Sequence, residues 1–172
     1  MVGVFIGIGV GPGDPELLTL KAAKTLKSVD TICVPKSHPN RPSMALDMIK
    51  PILDERTNPA EILELVFPMS RDDLNNRKLW AENAVIVAAK VKQGDVAFIT
   101  LGDPMLYSTF LYLYEHLKES YPQIELEIIP GVTSLTAVAA RSKLPLAEQD
   151  EVVTIIPTDL KADRLADRKS VV

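Results

Sequence analysis

Apolar positions along this chain fall into two kinds of run that alternate from end to end. Short unbroken clusters, bounded by glycine, proline or charge, read as buried strands over residues 3–9, 30–34, 62–67, 95–101, 124–129 and 151–157. Longer stretches with apolar residues three and four apart read as amphipathic helices. The first helix is expected to start at Asp14 as N-cap and Pro15 as first helical residue and to run to about Lys27, burying Leu17, Leu18, Ala22 and Leu26. A short helix is expected over 43–50. A long one opens at the capping-box pair Ser70 and Asp73 and closes near Gly94, with Leu74, Ala81, Ala84, Val85, Ala88 and Val91 on its apolar face. Two more helices are expected over 107–120 and 133–141. Pro35, Pro39 and Pro42 exclude regular structure from the segment between the second strand and the short helix.

Strands alternating with helices predict an α/β fold with a largely parallel sheet. Residues 121–172 supply only two strands and one helix, too little to cover both faces of such a sheet. The expected organisation is therefore a complete N-terminal α/β domain over 1–120 and a partial C-terminal α/β domain over 121–172. The mixed-charge stretch 159–169 offers little to bury.

Composition narrows the function without naming it. A content of 47% hydrophobic and 24% charged residues is that of an ordinary globular chain. The net charge of −4 gives no electrostatic reason for a nucleic-acid or anionic membrane partner, and a polyanionic substrate would need a local basic pocket. The single cysteine, Cys33, excludes an intramolecular disulfide and a cysteine-cluster metal site, and its apolar neighbours mark it as a small core residue. No apolar stretch has the length of a membrane span and the N-terminus lacks a basic signal region, so a cytoplasmic location is expected.

Ligands of parallel α/β sheets bind beyond the carboxyl ends of the strands. Three segments there have unusual backbone requirements: Gly7 to Pro15 with four alternate glycines, Thr100 to Ser108, and Pro130 to Ser134. A dinucleotide phosphate loop is excluded by spacing. Gly9, Gly11 and Gly13 give G-x-G-x-G, prolines occupy positions that need free N–H groups, and no acidic residue closes the second strand. No G-K-[ST] follows, so a Walker loop is excluded as well.

These three loops, in this order, resemble those of the tetrapyrrole methylase family of S-adenosylmethionine-dependent enzymes. The run Val10 to Ala22, the segment Val66-Phe67-Pro68-Met69 and above all Leu101 to Thr109 are similar to the branch that methylates C20 of precorrin-2 or its cobalt form, cobalt-factor-2, in cobalamin (corrin) biosynthesis. The resemblance implies a two-domain α/β architecture, a homodimer, and S-adenosyl-L-methionine in the cleft. By position it places Pro12, Leu101, Gly102, Asp103, Leu106, Thr133 and Ser134 around the cofactor. Asp103 either contacts it directly or forms the turn before Pro104. Methyl transfer to an already nucleophilic meso carbon implies catalysis by in-line positioning and exclusion of water, with no base assigned.

The substrate this implies carries eight carboxylates, which makes Lys36, His38 and Arg41 candidates to ring it, with Arg77 and Arg141 behind them. Each equally reads as a solvated surface charge. Tyr107 either lines the tetrapyrrole side or begins a helix. No metal-ligand set is assigned. Relatives of this kind run longer, so the chain is expected to bind S-adenosylmethionine weakly, and a non-catalytic module holding a tetrapyrrole or a partner without turnover is the alternative.

Overall fold

The structure, a computed structural model, describes residues 3–68 and 73–156. Five parallel strands, β1 (Val4–Gly9), β2 (Thr31–Lys36), β3 (Glu61–Val66), β4 (Val96–Thr100) and β5 (Glu125–Ile129), form one sheet in the order β3-β2-β4-β1-β5. Five α-helices accompany them: α1 (Leu20–Ser28), α2 (Met44–Asp54), α3 (Asp73–Val91), α4 (Phe110–Ser120) and α5 (Ser134–Ser142). The α/β expectation holds. Strand β5, from the segment assigned on sequence to a second domain, is hydrogen-bonded to β1 in this same sheet.

The sheet's pleat sorts its side chains onto two apolar cores. On one face Ile6, Ile8, Ile32, Val34, Ala97 and Ile99 pack with Ala22 and Leu26 of α1 and Ala45 and Ile49 of α2. On the other, Phe5, Cys33, Val96 and Phe98 pack with Ala84, Val87, Ala88 and Val91 of α3 and Phe110, Leu113 and Leu117 of α4. Phe5, Phe67, Phe98 and Phe110 meet at centroid distances of 5.7–6.5 Å, an aromatic centre for the second core.

Several local expectations need correction. The expected first helix is two pieces. A 3-10 turn, Pro15–Leu17, is capped by Asp14, whose Oδ1 accepts from Glu16 N at 2.9 Å. Leu18 is then extended, and Thr19 caps α1 by accepting from Ala22 N at 3.2 Å. Strand β2 continues through Pro35 to Lys36. Thr31 N donates towards β4, so Pro35, on the same side, faces a stretch where pairing with β4 has already ended and its missing N–H removes no ladder bond. Helix α2 runs past Pro51 to Asp54.

In α3, Ala84, Ala88 and Val91 are buried as expected, but Leu74 and Val85 are exposed and Val87 takes the core position. Tyr107 does not begin a helix; its φ is +49° and α4 starts three residues later. Residues 151–156 form no strand. Ser70 of the capping-box pair lies outside the described residues, as do Met69 and residues 157–172, while Asp73 is the first residue of α3.

By its contacts the chain comprises two compact units, residues 1–137 and 138–172. The first contains the whole sheet. In the second, α5 ends in a Schellman motif: Lys143 adopts φ +57°, Leu144 N donates to Ala139 O at 3.2 Å and Lys143 N to Ala140 O at 3.3 Å. Among the described residues no helix is long and apolar enough to cross a membrane.

Candidate active site

Strands β4, β1 and β5, which are neighbours in the sheet with β5 at its edge, feed the three unusual loops, so the loops emerge side by side at the carboxyl ends of these strands. Their backbones lock together. Val10 N donates to Thr100 O at 2.9 Å, and Gly11 and Gly102 form an antiparallel bridge in which Gly102 N donates to Gly11 O at 2.8 Å. Gly131 rests on both: a β-carbon there would lie 2.0 Å from Gly102 O and 2.8 Å from Gly9 Cα. Such contact between three main chains is available only to glycine, and Gly102 also needs its φ of +65°.

Asp103 fastens the second loop to the third. Its Oδ1 accepts from Met105 N at 2.8 Å, forming an Asx turn, and its Oδ2 accepts from Gly131 N at 2.9 Å. Of the two roles open on sequence, the structure displays the turn-forming one and adds the loop-to-loop staple. Sequence reasoning missed that staple. Its signal was an Asp-Pro dipeptide in one loop and a Pro-Gly in another, with nothing linear to relate them. Leu106 N donates to Asp103 O at 3.3 Å, closing the turn that presents Leu106. Leu101 is 39% exposed on the rim, Pro12 follows Gly11 directly, and Thr133 caps α5 by accepting from Thr136 N at 3.4 Å. Ser134 is the exposed first residue of α5.

Beside this crevice lies a depression of about 280 Å³ between the ends of β2 and β4 and the starts of α2 and α4. Lys36, Ser37, Ser43, Leu101, Tyr107 and Thr109 line it, so Lys36 and Tyr107 of the substrate-side candidates come together there. The side chain of Lys36 is only 10% exposed, and its Nζ is 3.0 Å from Glu64 Oε2. Ser43 and Thr109 are the N-caps of α2 and α4, yet neither side chain makes a capping bond. Behind them Ser108 Oγ donates to Thr100 Oγ1 at 2.9 Å, a buried bond that ties the loop to its strand.

His38 and Arg41 are exposed on the neighbouring loop and do not line the depression; His38 Nδ1 accepts from Asn40 N at 3.2 Å. Arg77 lines a separate depression of about 480 Å³ between α3 and α4, with Trp80, Tyr112 and His116, and Arg141 is exposed on α5. Among the described residues no group of three or more His, Cys, Asp or Glu is placed to hold a metal. Burial pushes the Cys33 thiol up to about 12, with nearby Glu61 adding to the rise and Lys90 opposing it, so this cysteine is no nucleophile.

The Tetrapyrrole (Corrin/Porphyrin) Methylases family model matches residues 4–172. The chain is 44% identical over 161 residues to the "Probable cobalt-precorrin-2 C(20)-methyltransferase" of Methanocaldococcus jannaschii, covering 94% of this chain and 66% of that protein. It is 40% identical over 157 residues to the cobalt-precorrin-2 C(20)-methyltransferase of Salmonella typhimurium, covering 91% and 64%. It thus spans about two thirds of the length of these curated relatives. Among solved structures it resembles the uroporphyrin-III C-methyl transferase of Thermus thermophilus complexed with S-adenyl homocysteine, with a TM-score of 0.57 and 25% identity over 86% of this chain and 51% of that one. A parallel sheet in which three neighbouring strands end in interlocked glycine loops, matched by the family model from Val4 onward, makes this chain a member of the tetrapyrrole methylases.

Proposed function

We propose that this chain carries the cofactor-side domain of an S-adenosylmethionine-dependent methyltransferase acting on C20 of precorrin-2 or its cobalt form in cobalamin biosynthesis. The observation that carries the reading is the convergence of the β1, β4 and β5 loops into one crevice walled by backbone. With Gly9, Gly102 and Gly131 packed main chain on main chain, a ligand in the crevice meets the backbone of the adjoining turns, whose amides and carbonyls suit the amino-acid and adenine edges of such a cofactor. The fit is one of shape and donor chemistry, and Leu101 and Leu106 add the apolar surface that keeps water from a sulfonium. The cofactor supplies an electrophilic methyl group. The chain's part is to bind and orient it, with Asp103 and Gly131 setting the loop spacing; the transfer releases the thioether and a proton from C20, for which no residue is assigned as acceptor.

Lys36, with the free hydroxyls of Ser43 and Thr109, gives the neighbouring depression donors for a substrate carboxylate. His38 and Arg41 extend the basic rim outward on the same loop. The 44% and 40% identities are to proteins named for the cobalt form, which favours cobalt-factor-2 over metal-free precorrin-2. A cytoplasmic homodimer is the assembly the family resemblance implies. Incubation with methyl-labelled S-adenosylmethionine and each tetrapyrrole separately tests the reading. Label in the cobalt form is expected; binding of both ligands without transfer to either would make the chain a non-catalytic module.

A further inference from the structure

The loop joining β4 to α4 holds one large residue in a backbone conformation that L side chains rarely adopt. Tyr107 sits at φ +49°, in the left-handed region, where a bulky L-residue is strained and a glycine would not be. Among the described residues the Tyr107 side chain makes no contact that offsets that strain. The side chain is 66% exposed, and among the described residues its hydroxyl meets no hydrogen-bond partner and its ring no other ring. The strain is held by the loop around it. Leu106 N to Asp103 O, Phe110 N to Ser108 Oγ and Ser108 Oγ to Thr100 Oγ1 already hold the segment on both sides of residue 107. What the strained backbone achieves is placement: the phenol stands on the rim of the 280 Å³ depression, beside Leu101 of the cofactor crevice and across from Lys36.

Backbone strain held in place by the surrounding structure clusters at ligand-binding sites, where it pre-organises a side chain for a contact the free chain lacks. We propose that Tyr107 is the platform on which the tetrapyrrole lies, an inference that rests on the methyltransferase reading above. A flat aromatic face matches a planar conjugated macrocycle, and the phenolic O–H is free to donate to a peripheral carboxylate while Lys36 takes another. The backbone strain holds the ring in the bound arrangement before substrate enters, so Tyr107 acts on substrate affinity and leaves the cofactor crevice untouched.

The test compares Tyr107→Gly and Tyr107→Phe with the unaltered chain in three measurements: the urea midpoint, binding of cobalt-factor-2 by absorbance titration, and binding of S-adenosylhomocysteine by calorimetry. Tyr107→Gly is expected to raise the urea midpoint while weakening cobalt-factor-2 at least tenfold, with S-adenosylhomocysteine changed less than twofold. Tyr107→Phe is expected to keep the midpoint and bind the tetrapyrrole within about threefold of the unaltered chain. Unchanged tetrapyrrole affinity in Tyr107→Gly would overturn the inference and leave the methyltransferase reading standing, as would equal weakening of both ligands, which would mark a loop-structural role. An unaltered chain that binds no tetrapyrrole would overturn the reading itself and this inference with it.

Discussion

Replacing Asp103 by asparagine changes one atom of the carboxylate and should open the crevice. In the native chain the two carboxylate oxygens have separate tasks, Oδ1 accepting from Met105 N at 2.8 Å and Oδ2 from Gly131 N at 2.9 Å. Asparagine keeps the first as an ordinary Asx turn. At the second it presents an NH₂ group to a backbone N–H, so the bond is lost and a part-buried donor must find water. Hydrogen bonds to charged acceptors contribute about 1.5–3 kcal/mol net. Asp103 is half-buried, which places this bond at the lower end of that range. The loss in Asp103→Asn is then about 2 kcal/mol, or about 4–8 °C in melting temperature for a chain of this size. Asp103→Ala loses both bonds and about 3 kcal/mol.

Urea unfolding with an unchanged m-value should give these differences. Hydrogen exchange provides the local check, since the Gly131 amide should exchange on the timescale of local opening in the variant and be protected in the native chain. S-adenosylhomocysteine affinity should fall about tenfold, because the third loop is no longer held against the second. If Asp103→Asn unfolds at the native midpoint with Gly131 still protected, the staple contributes nothing and the reasoning is refuted.

Other perturbations probe the same account. Gly131→Ala places a β-carbon 2.0 Å from Gly102 O, a main-chain clash that side-chain motion cannot relieve; a loss of about 3 kcal/mol and of detectable S-adenosylhomocysteine binding is expected by urea unfolding and calorimetry. Thr19→Ala removes the cap on α1 and should lower stability by about 1 kcal/mol in urea unfolding. Cys33 should resist a thiol reagent in the folded chain at pH 8 and react once per chain in urea. Its folded pKa of about 12 exceeds the ordinary 9.0, so its stabilising contribution is complete below pH 9 and declines above it. Unfolding free energy should therefore fall by about 1.4 kcal/mol per pH unit from pH 9 towards 12, and Cys33→Ala should flatten that slope.

The physical reasons for what could be read in the chain are local. Unbroken runs such as Val96 to Thr100 are buried on both sheet faces, so hydrophobicity alone marks them as strands. Gly11, Gly102 and Gly131 were conspicuous because few residues tolerate their conformations or contacts. What escaped depended on partners distant in sequence. The Asp103 to Gly131 bond joins residues 28 apart, and Lys36 pairs with Glu64 across a register only the sheet defines. The α3 face was misassigned because Val85 and Val87 are equivalent in hydrophobicity and only the core cluster that α3 joins selects one. Tyr107 is a good helix neighbour by composition, and its left-handed backbone is invisible until the loop closes.

The central claim, that the three interlocked loops form the cofactor site, is tested most directly by titrating the isotope-labelled chain with S-adenosylhomocysteine and following every backbone amide by NMR, which reads weak binding as well as tight. The largest shifts are expected at Gly11, Gly102, Leu106 and Gly131, extending to Thr133 and Ser134, with little change along α3. Shifts absent at the solubility limit of the ligand, or clustered around Trp80 and Tyr112 between α3 and α4, would contradict it.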